Sequence, residues 1–573
     1  MNSLLLVILA LVGYILAYRF YGRFLGKRIF EITTGQIMPA HEFKDGVDFV
    51  PTRRNIIFGH HFTTIAGLGP IVGPAIGIIW GWLPAFIWIF LGSIFMGAVH
   101  DFSTMVVSAR NKGISIGDLT GKIIGPSTRY AFLFIMQFLL FIVLAVFAMI
   151  VSTLFIMYPE SVIPVWMQIP IAIWLGWKIR QGKSDLLYSV ISVLVMYGFI
   201  ILGVYFPVNL PGSSENMVIV SWCVILFAYV FIASTLPVHK LLQPRDYINS
   251  HQLLIAMGLI FLGVLVAHPQ ISAPAINLAA FSKSSGVPAM MPALFIIIAC
   301  GAISGFHSLA SSGTTIKQVD KEKDTLFIGF GGMLTESFLA VLVLMAIAAG
   351  LGMGLLNSDN VLLKGEEAYR SYYHDWNALN TMKANLDAFI TGTSNLLAAI
   401  GIPAKFGKSM VAVFIVSFAG TTLDSATRIQ RLSLQEIFKN KDGKVTRPIN
   451  NRYVATFLIV AAAAAMSFIK PGGKGAMLLW PMFGSLNQLL AGLALGVVTI
   501  YLYIKKKNIL YTFIPMVFVL TVTLWAMVEN LVKYIRTNEY LLSILSIIIL
   551  LLTAWLIISG LHAFYIRRKS SNT

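Results

Sequence analysis

Long apolar stretches alternate with short polar ones along almost the whole chain. A bilayer core of roughly 30 Å takes about 20 apolar residues per helix. By that rule the pattern predicts about 15 spans. They fall at about 3–20, 55–80, 83–108, 130–156, 161–178, 185–206, 217–236, 250–267, 290–312, 326–351, 409–430, 453–469, 478–503, 509–531 and 541–565. The expected fold is an all-α polytopic membrane protein.

The second span breaks the pattern. Residues 59–74 read GHHFTTIAGLGPIVGP. Pro70 and Pro74 lack the N–H that closes a helical ladder, and Gly67, Gly69 and Gly73 add backbone freedom. Unpaired backbone at membrane depth is tolerated only where it is buried in protein or lines a cavity. Discontinuous helices of this kind build substrate and ion sites in secondary transporters.

Basic residues orient the spans. With the N-terminus outside, the Lys/Arg-rich connections 19–54, 178–183, 428–452 and 505–507 all face inward, and the outer loops 158–164 and 207–216 hold none. The C-terminus is then cytoplasmic. Segment 352–404 lies outside, with an amphipathic piece near Asn385–Ile400 able to fold back onto the membrane. Spans two to six start inside and spans seven to eleven start outside, which is the pattern of an inverted repeat. The expected organisation is a first span and inner loop (1–54), a first five-helix repeat (55–206), a second (207–430, carrying 352–404) and accessory helices (431–573). A second, weaker break is expected where span seven ends, at Ala233-Ser234-Thr235-Leu236-Pro237.

An ionisable side chain at a helix centre costs about 2.5–3.5 kcal/mol on insertion scales. Asp101 shares a helical face with Ser93, Gly97, Thr104 and Ser108. His307 shares one with Ser304, Ser308, Ser311 and Thr315, Asp424 with Ser417, Thr421 and Arg428, and Glu336 with Gly329 and Gly332. These faces either converge on the broken helix or glue helices together. For Asp424 a local pair with Arg428 is the plainer reading. Asp101 and Glu336 have no basic residue within a turn or two on their own helix, which favours function. Asn487 and Gln488 read as packing amides. His60, His61, His100 and His307 admit three readings: proton relay or substrate contact, packed polar groups, or metal or haem ligands. Adjacent His60 and His61 diverge by about 100° on a helix, and no CxxCH or HExxH motif is present.

Composition narrows the class. The chain is 57% hydrophobic and 12% charged, with mean hydropathy +0.81, which excludes a soluble protein. The net charge of +18 sits mainly in short loops, which points to membrane topology and away from nucleic acid. Cys223 and Cys300 fall in different spans and offer neither a disulfide framework nor a metal motif. The N-terminal MNSLLLVILALVGYILAYRF has no basic n-region or small-residue cleavage site, and reads as a retained first span.

Six ordered blocks carry a resemblance: FGHHFTTIAGLGPIVGP, GAVHDFS, ASTLPVHKLLQPRDYIN, ACGAISGFHSLASSGTT, FAGTTLDSATRIQR and LWPMFGSLNQLLAGL. Together they resemble the carbon starvation protein A family. The resemblance implies an inner-membrane transporter, not an enzyme, that takes up peptides during carbon starvation. A close branch imports pyruvate with protons. It also implies a leucine-transporter-type 5+5 repeat whose first and sixth core helices, here spans two and seven, are broken and hold substrate. The substrate residues would be His60, His61, Gly67, Gly69, Gly73, Ser234 and His307. Span nine, as the eighth core helix, would set the hydroxyls of Ser311, Ser312, Thr314 and Thr315 opposite carbonyls near Ile65–Gly69. Such oxygens suit a hard cation, whereas Asp101, Glu336 and Asp424 suit a proton. The expected protein is a symporter of short peptides or pyruvate-like acids, coupled to H+ or Na+, with no cofactor and with substrate and the lipid bilayer, not nucleic acid, as its partners. A haem- or metal-binding redox protein and a non-transporting nutrient sensor are the alternatives.

Overall fold

The protein is described by a computed structural model covering residues 2–33, 35–282, 286–356, 361–374, 376, 382–440 and 445–571. Twelve helices there are long and apolar enough to cross a membrane, and one bent pair makes a thirteenth span. They are α1 (Ser3–Ile29), the pair α2 (Arg54–Ile65) and α3 (Gly69–Trp80), α4 (Trp82–Ala109), α6 (Pro126–Met157), α7 (Pro159–Arg180), α8 (Asp185–Tyr205), α9 (Glu215–Thr235) and α10 (Leu242–Ala267). Then come α14 (Leu326–Met353), α17 (Ala404–Ile437), α19 (Pro471–Ile504), α20 (Leu510–Arg536) and α21 (Tyr540–Ile566). A short amphipathic helix, α5 (Ile116–Ile123), precedes α6. Another apolar helix, α18 (Arg452–Phe468), is shorter than the rest.

The expected break in span two is present. Ala66 ends α2 with ψ +40°, and α3 leaves at 43° to it. Pro70 sits in the first turn of α3, where its missing N–H costs no hydrogen bond.

The second break lies elsewhere than expected. Helix α9 runs unbroken to Thr235, and Leu236–Pro237 merely terminates it. Ser234 bonds back to the Phe231 carbonyl (3.4 Å) inside its own helix. The interrupted segment is the expected span at 290–312. It divides into α11 (Met290–Ile297), α12 (Ala299–Ala302) and α13 (Gly305–Gly313). Ile298 leaves helical ψ (+37°), and Ile303 and Ser304 are extended. The face predicted through Ser304 therefore holds only from Gly305 onward.

Helix α10 begins at Leu242, eight residues before the predicted start, and so draws Arg245 and Asp246 into the packed interior. The segment 352–404 forms a two-residue hairpin (Leu355–Leu356 with Leu362–Leu363), α15 (Glu366–Tyr373) and α16 (Met382–Ala399). Leu386, Phe389 and Ile390 of α16 are buried, so its apolar face packs on protein (α10, α14 and α17). Asp387 accepts hydrogen bonds from Tyr158 (2.9 Å) and Tyr372 (2.5 Å).

The packing has a paired character. The long helices α6 and α17 lie against each other. α10 packs on α2, and α19 on α13; α4 packs on α13, and α14 on α3. α9 contacts α17, and α18 contacts α6; α10 also contacts α17, and α19 contacts α6. The hairpin α7–α8 stands between α6 and α9 in sequence.

Candidate functional site

The two interrupted helices meet at their breaks. A Cβ on Gly73 would lie 2.8 Å from the Ile297 carbonyl oxygen, and one on Gly69 would run into the Cys300 side chain. On the other side, a Cβ on Gly67 would lie 2.6 Å from Thr422 Oγ1 of α17. Gly73 thus brings the two backbones together, while Gly67 and Gly69 let the Thr422 and Cys300 side chains approach theirs. Asn487 of α19 supports the second break: its Oδ1 accepts the Phe306 amide (2.9 Å) and the Ser304 hydroxyl (3.1 Å), and its Nδ2 donates toward Cys300 Sγ (3.4 Å). Asn487 thus pairs a backbone group that the break leaves without a helical partner. A cavity of about 300 Å³ opens from Gly69, Gly73, Cys300 and Asn487 past Trp480 to Glu529 and Lys533 of α20.

Below the breaks lies a fully buried titratable cluster. Asp101 (α4) binds His100 Nδ1 through Oδ1 (2.8 Å) and His307 Nδ1 (α13) through Oδ2 (2.9 Å). His307 Nε2 is 3.3 Å from Glu336 Oε2 (α14), yet neither Glu336 oxygen has an aligned hydrogen bond. All four side chains are 0% exposed. Close helix approach makes the cluster possible: a Cβ on Gly329 would meet Phe102 Cα at 3.0 Å. Two carboxyls and two imidazoles are neutral together only with two protons shared among them. Losing one leaves a buried negative charge, which is costly in a medium of low dielectric. Burial therefore ties the charge of the cluster to the number of protons it holds.

A second cluster joins four helices. His60 Nδ1 (α2) is 2.5 Å from Asp246 Oδ2. Arg245 lies 3.5 Å from Asp246 Oδ1, and its Nη1 donates to both Asp424 Oδ2 (α17) and the Tyr229 hydroxyl (α9). Tyr229 donates to the same Asp424 oxygen (2.8 Å). The local Asp424–Arg428 pair does not form. Arg428 instead reaches Asp48 (2.6 Å) and the Leu236 carbonyl, because α17 turns it toward the loop that precedes α2. Arg431 also contacts Asp48 (3.3 Å).

The remaining predicted residues divide between these places. His61 and His60 diverge: His61 Nδ1 meets Thr315 Oγ1 (3.0 Å). Ser311 Oγ has no partner, while Ser312 and Thr314 bond back to their own chain at Ser308 (2.7 Å) and Ala310 (3.2 Å). Three of these four hydroxyls, those of Ser312, Thr314 and Thr315, thus have partners other than the carbonyls of the first break. The hydroxyls that do stand there belong to α17: Thr422 Oγ1 donates to the Thr64 carbonyl (3.4 Å), and Ser425 pairs with the Thr64 hydroxyl (3.1 Å). Ser234 bonds within its own helix, to the Phe231 carbonyl. Among the described residues, no group of three or more His, Cys, Asp or Glu is arranged to hold a metal ion.

Comparison with known proteins gives concordant matches. Residues 2–526 match the family described as carbon starvation protein CstA. The peptide transporter CstA of Campylobacter jejuni is 33% identical, with 94% of this chain and 82% of that protein covered. The peptide transporter CstA of Escherichia coli is 32% identical (90% and 79% covered). The pyruvate/proton symporter BtsT of the same organism is 30% identical (92% and 81%). A crystal structure of a mutant of the Eremococcus coleocola manganese transporter shares the fold, at TM-score 0.50 and 12% identity over 91% of this chain and 99% of that one.

Proposed function

Because the chain belongs to the carbon starvation protein CstA family, we propose that it is a secondary active transporter that imports short peptides or pyruvate-like carboxylates together with protons. The observation that carries this reading is the buried Asp101–His307–Glu336 set, placed directly below two facing helix breaks. Substrate enters the cavity beside Gly69 and Gly73, where the helix ends leave backbone amides and carbonyls to contact it. Proton exchange in the cluster links α4, α13 and α14, so its charge state biases one arrangement of those helices over another.

The paired packing supports an inverted repeat with boundaries that differ from the sequence expectation. We assign the first repeat to α2/α3, α4, α6, α9 and α10, with the α7–α8 hairpin inserted. The second is α11–α13, α14, α17, α18 and α19, with α15–α16 inserted. The contacts named above then fall into pairs, one from each set. With α1 preceding, and α11–α13 and α18 counted as crossings, the N-terminus is outside and the C-terminus in the cytoplasm of an inner-membrane protein.

Purified protein in liposomes tests the function. An inward proton gradient should drive accumulation of pyruvate or of a dipeptide, and Asp101→Asn should abolish accumulation without loss of folded protein. Uptake indifferent to the gradient would remove proton coupling. A Soret band in the purified protein would instead revive a haem-binding role.

A further inference from the structure

An anionic cargo needs a cation to meet it inside the membrane domain, because an unpaired carboxylate in low dielectric costs several kcal/mol. Among the described residues, three guanidinium groups are buried within the spanning helices: Arg245, Arg428 and Arg431. The last two close on Asp48 at the helix end. Arg245 is held differently, inside the bundle, by Asp424, Tyr229 and Asp246. It is 4% exposed, and its Nε, like those of the other two, has no partner. Asp424, which occupies its Nη1, leaves its own Oδ1 unpartnered. Beside them is a void of about 30 Å³ lined by Arg245, Tyr229, Gln168, Ser417, Trp166 and Gly420. That is room for about one water and too little for a cargo as it stands. The wall is permissive, however. Trp166 Nε1 has no partner, and nothing lies within 4 Å of a Cβ built on Gly420.

We propose that Arg245 is a carboxylate-binding residue on the substrate route and that Asp424 is its proton-switched blocking partner. The inference rests on the transport reading above and deepens it. The titratable groups facing Asp424 are Arg245 and Asp246 from α10, Tyr229 from α9 and, through Asp246, His60 from α2. From α7 the void receives Gln168 and Trp166, which do not titrate. Arg245, Asp246, Asp424 and His60 are neutral together with one proton among the last three. A proton on Asp424 removes the negative charge that holds the guanidinium. The substrate carboxylate then takes its place, so one proton enters with one carboxylate and the charge inside the bundle stays constant. The same exchange loosens the tie from Arg245 through Asp246 to His60, which couples loading to α2, the inner half of the broken helix.

Binding of pyruvate and of dialanine to the purified full chain, read by thermal stabilisation between pH 5.5 and 8, tests this. Wild-type binding should tighten as pH falls. Asp424→Asn should bind with no pH dependence, support counterflow, and lose gradient-driven accumulation. Wild-type pH dependence in Asp424→Asn overturns the proposal. Arg245→Lys keeps the charge but loses the bidentate fork, and should bind at least tenfold more weakly. Should either variant fail to fold, the wild-type protein still decides: pyruvamide and dialanine amide should bind at least tenfold more weakly than the acids, and equal binding of acid and amide overturns the proposal. Absence of gradient-driven uptake by wild type counts against the transport reading itself, whereas gradient-driven uptake with a pH-dependent Asp424→Asn counts against the carboxylate switch alone.

Discussion

Asp48 shows how a single side chain outside the spans closes one side of the molecule. It lies in the loop before α2, and α17 presents Arg428 and Arg431 to it. Burial alone would raise its carboxyl pKa, but Arg428, Arg431 and Lys317 outweigh that and hold it at about 2, against an ordinary 3.8. A lowered acid pKa contributes stability that is present above the unfolded value and lost as pH falls through the folded one. The shift corresponds to about 2 kcal/mol. Asp48→Asn should therefore lower the melting temperature at pH 7, and its difference from wild type should shrink as the pH is taken from about 4 down to 2. A difference that stays constant over that range would assign the loss to packing. The sequence named Arg428 but gave it the wrong partner, since an i,i+4 neighbour is visible in a chain and one 380 positions away is not. Asp101, His307 and Glu336 were legible because each is an ionisable residue inside an apolar run. Arg245 was not, because the polar run LLQPRDYINS around it reads as a loop until packing shows it to be helix.

At the level of elements, the two breaks differ in how openly the chain declares them. The first has Pro70, Pro74 and the glycines around them, which block or loosen a helical ladder. The second, ACGAISG, holds no proline. Its extended Ile303 and Ser304 are held by a side chain from another helix, Asn487, so no local rule could find it. A tertiary contact overrode local preference there. The mutual fit of the breaks yields a sharp expectation. A side chain at Gly73 meets the Ile297 backbone, which cannot swing aside as a side chain would. Gly73→Leu should abolish uptake and lower the melting temperature, by about 1–3 kcal/mol of overpacking strain. Gly258→Leu on α10, where nothing lies within 4 Å, is the control and should do neither. Normal uptake by Gly73→Leu would mean that the breaks need not touch for transport.

The molecule as a whole is closed on one side and open on the other. Toward the side we assign to the cytoplasm, Asp48 is tied to α17, Thr52 pairs with Val319, and His60, Asp246, Arg245 and Asp424 join α2, α10 and α17. Toward the other side, the cavity reaches down to Cys300 at the second break. The only other cysteine, Cys223, is fully buried on α9. Cys300 therefore reports on the outer opening without any engineering. A membrane-impermeant maleimide added outside should label it in wild-type protein. If the inner ties and the outer opening belong to one two-state equilibrium, weakening an inner tie must reduce that labelling, because the favoured alternative is closed outside. Removing about 2 kcal/mol from the inner side shifts such an equilibrium by roughly thirtyfold. Asp48→Asn should then label several-fold more slowly at Cys300 while Cys223 stays unreactive in both proteins. An unchanged rate would show that the two sides move independently, and would leave the paired helices of the two halves as a static likeness with no part in alternating access.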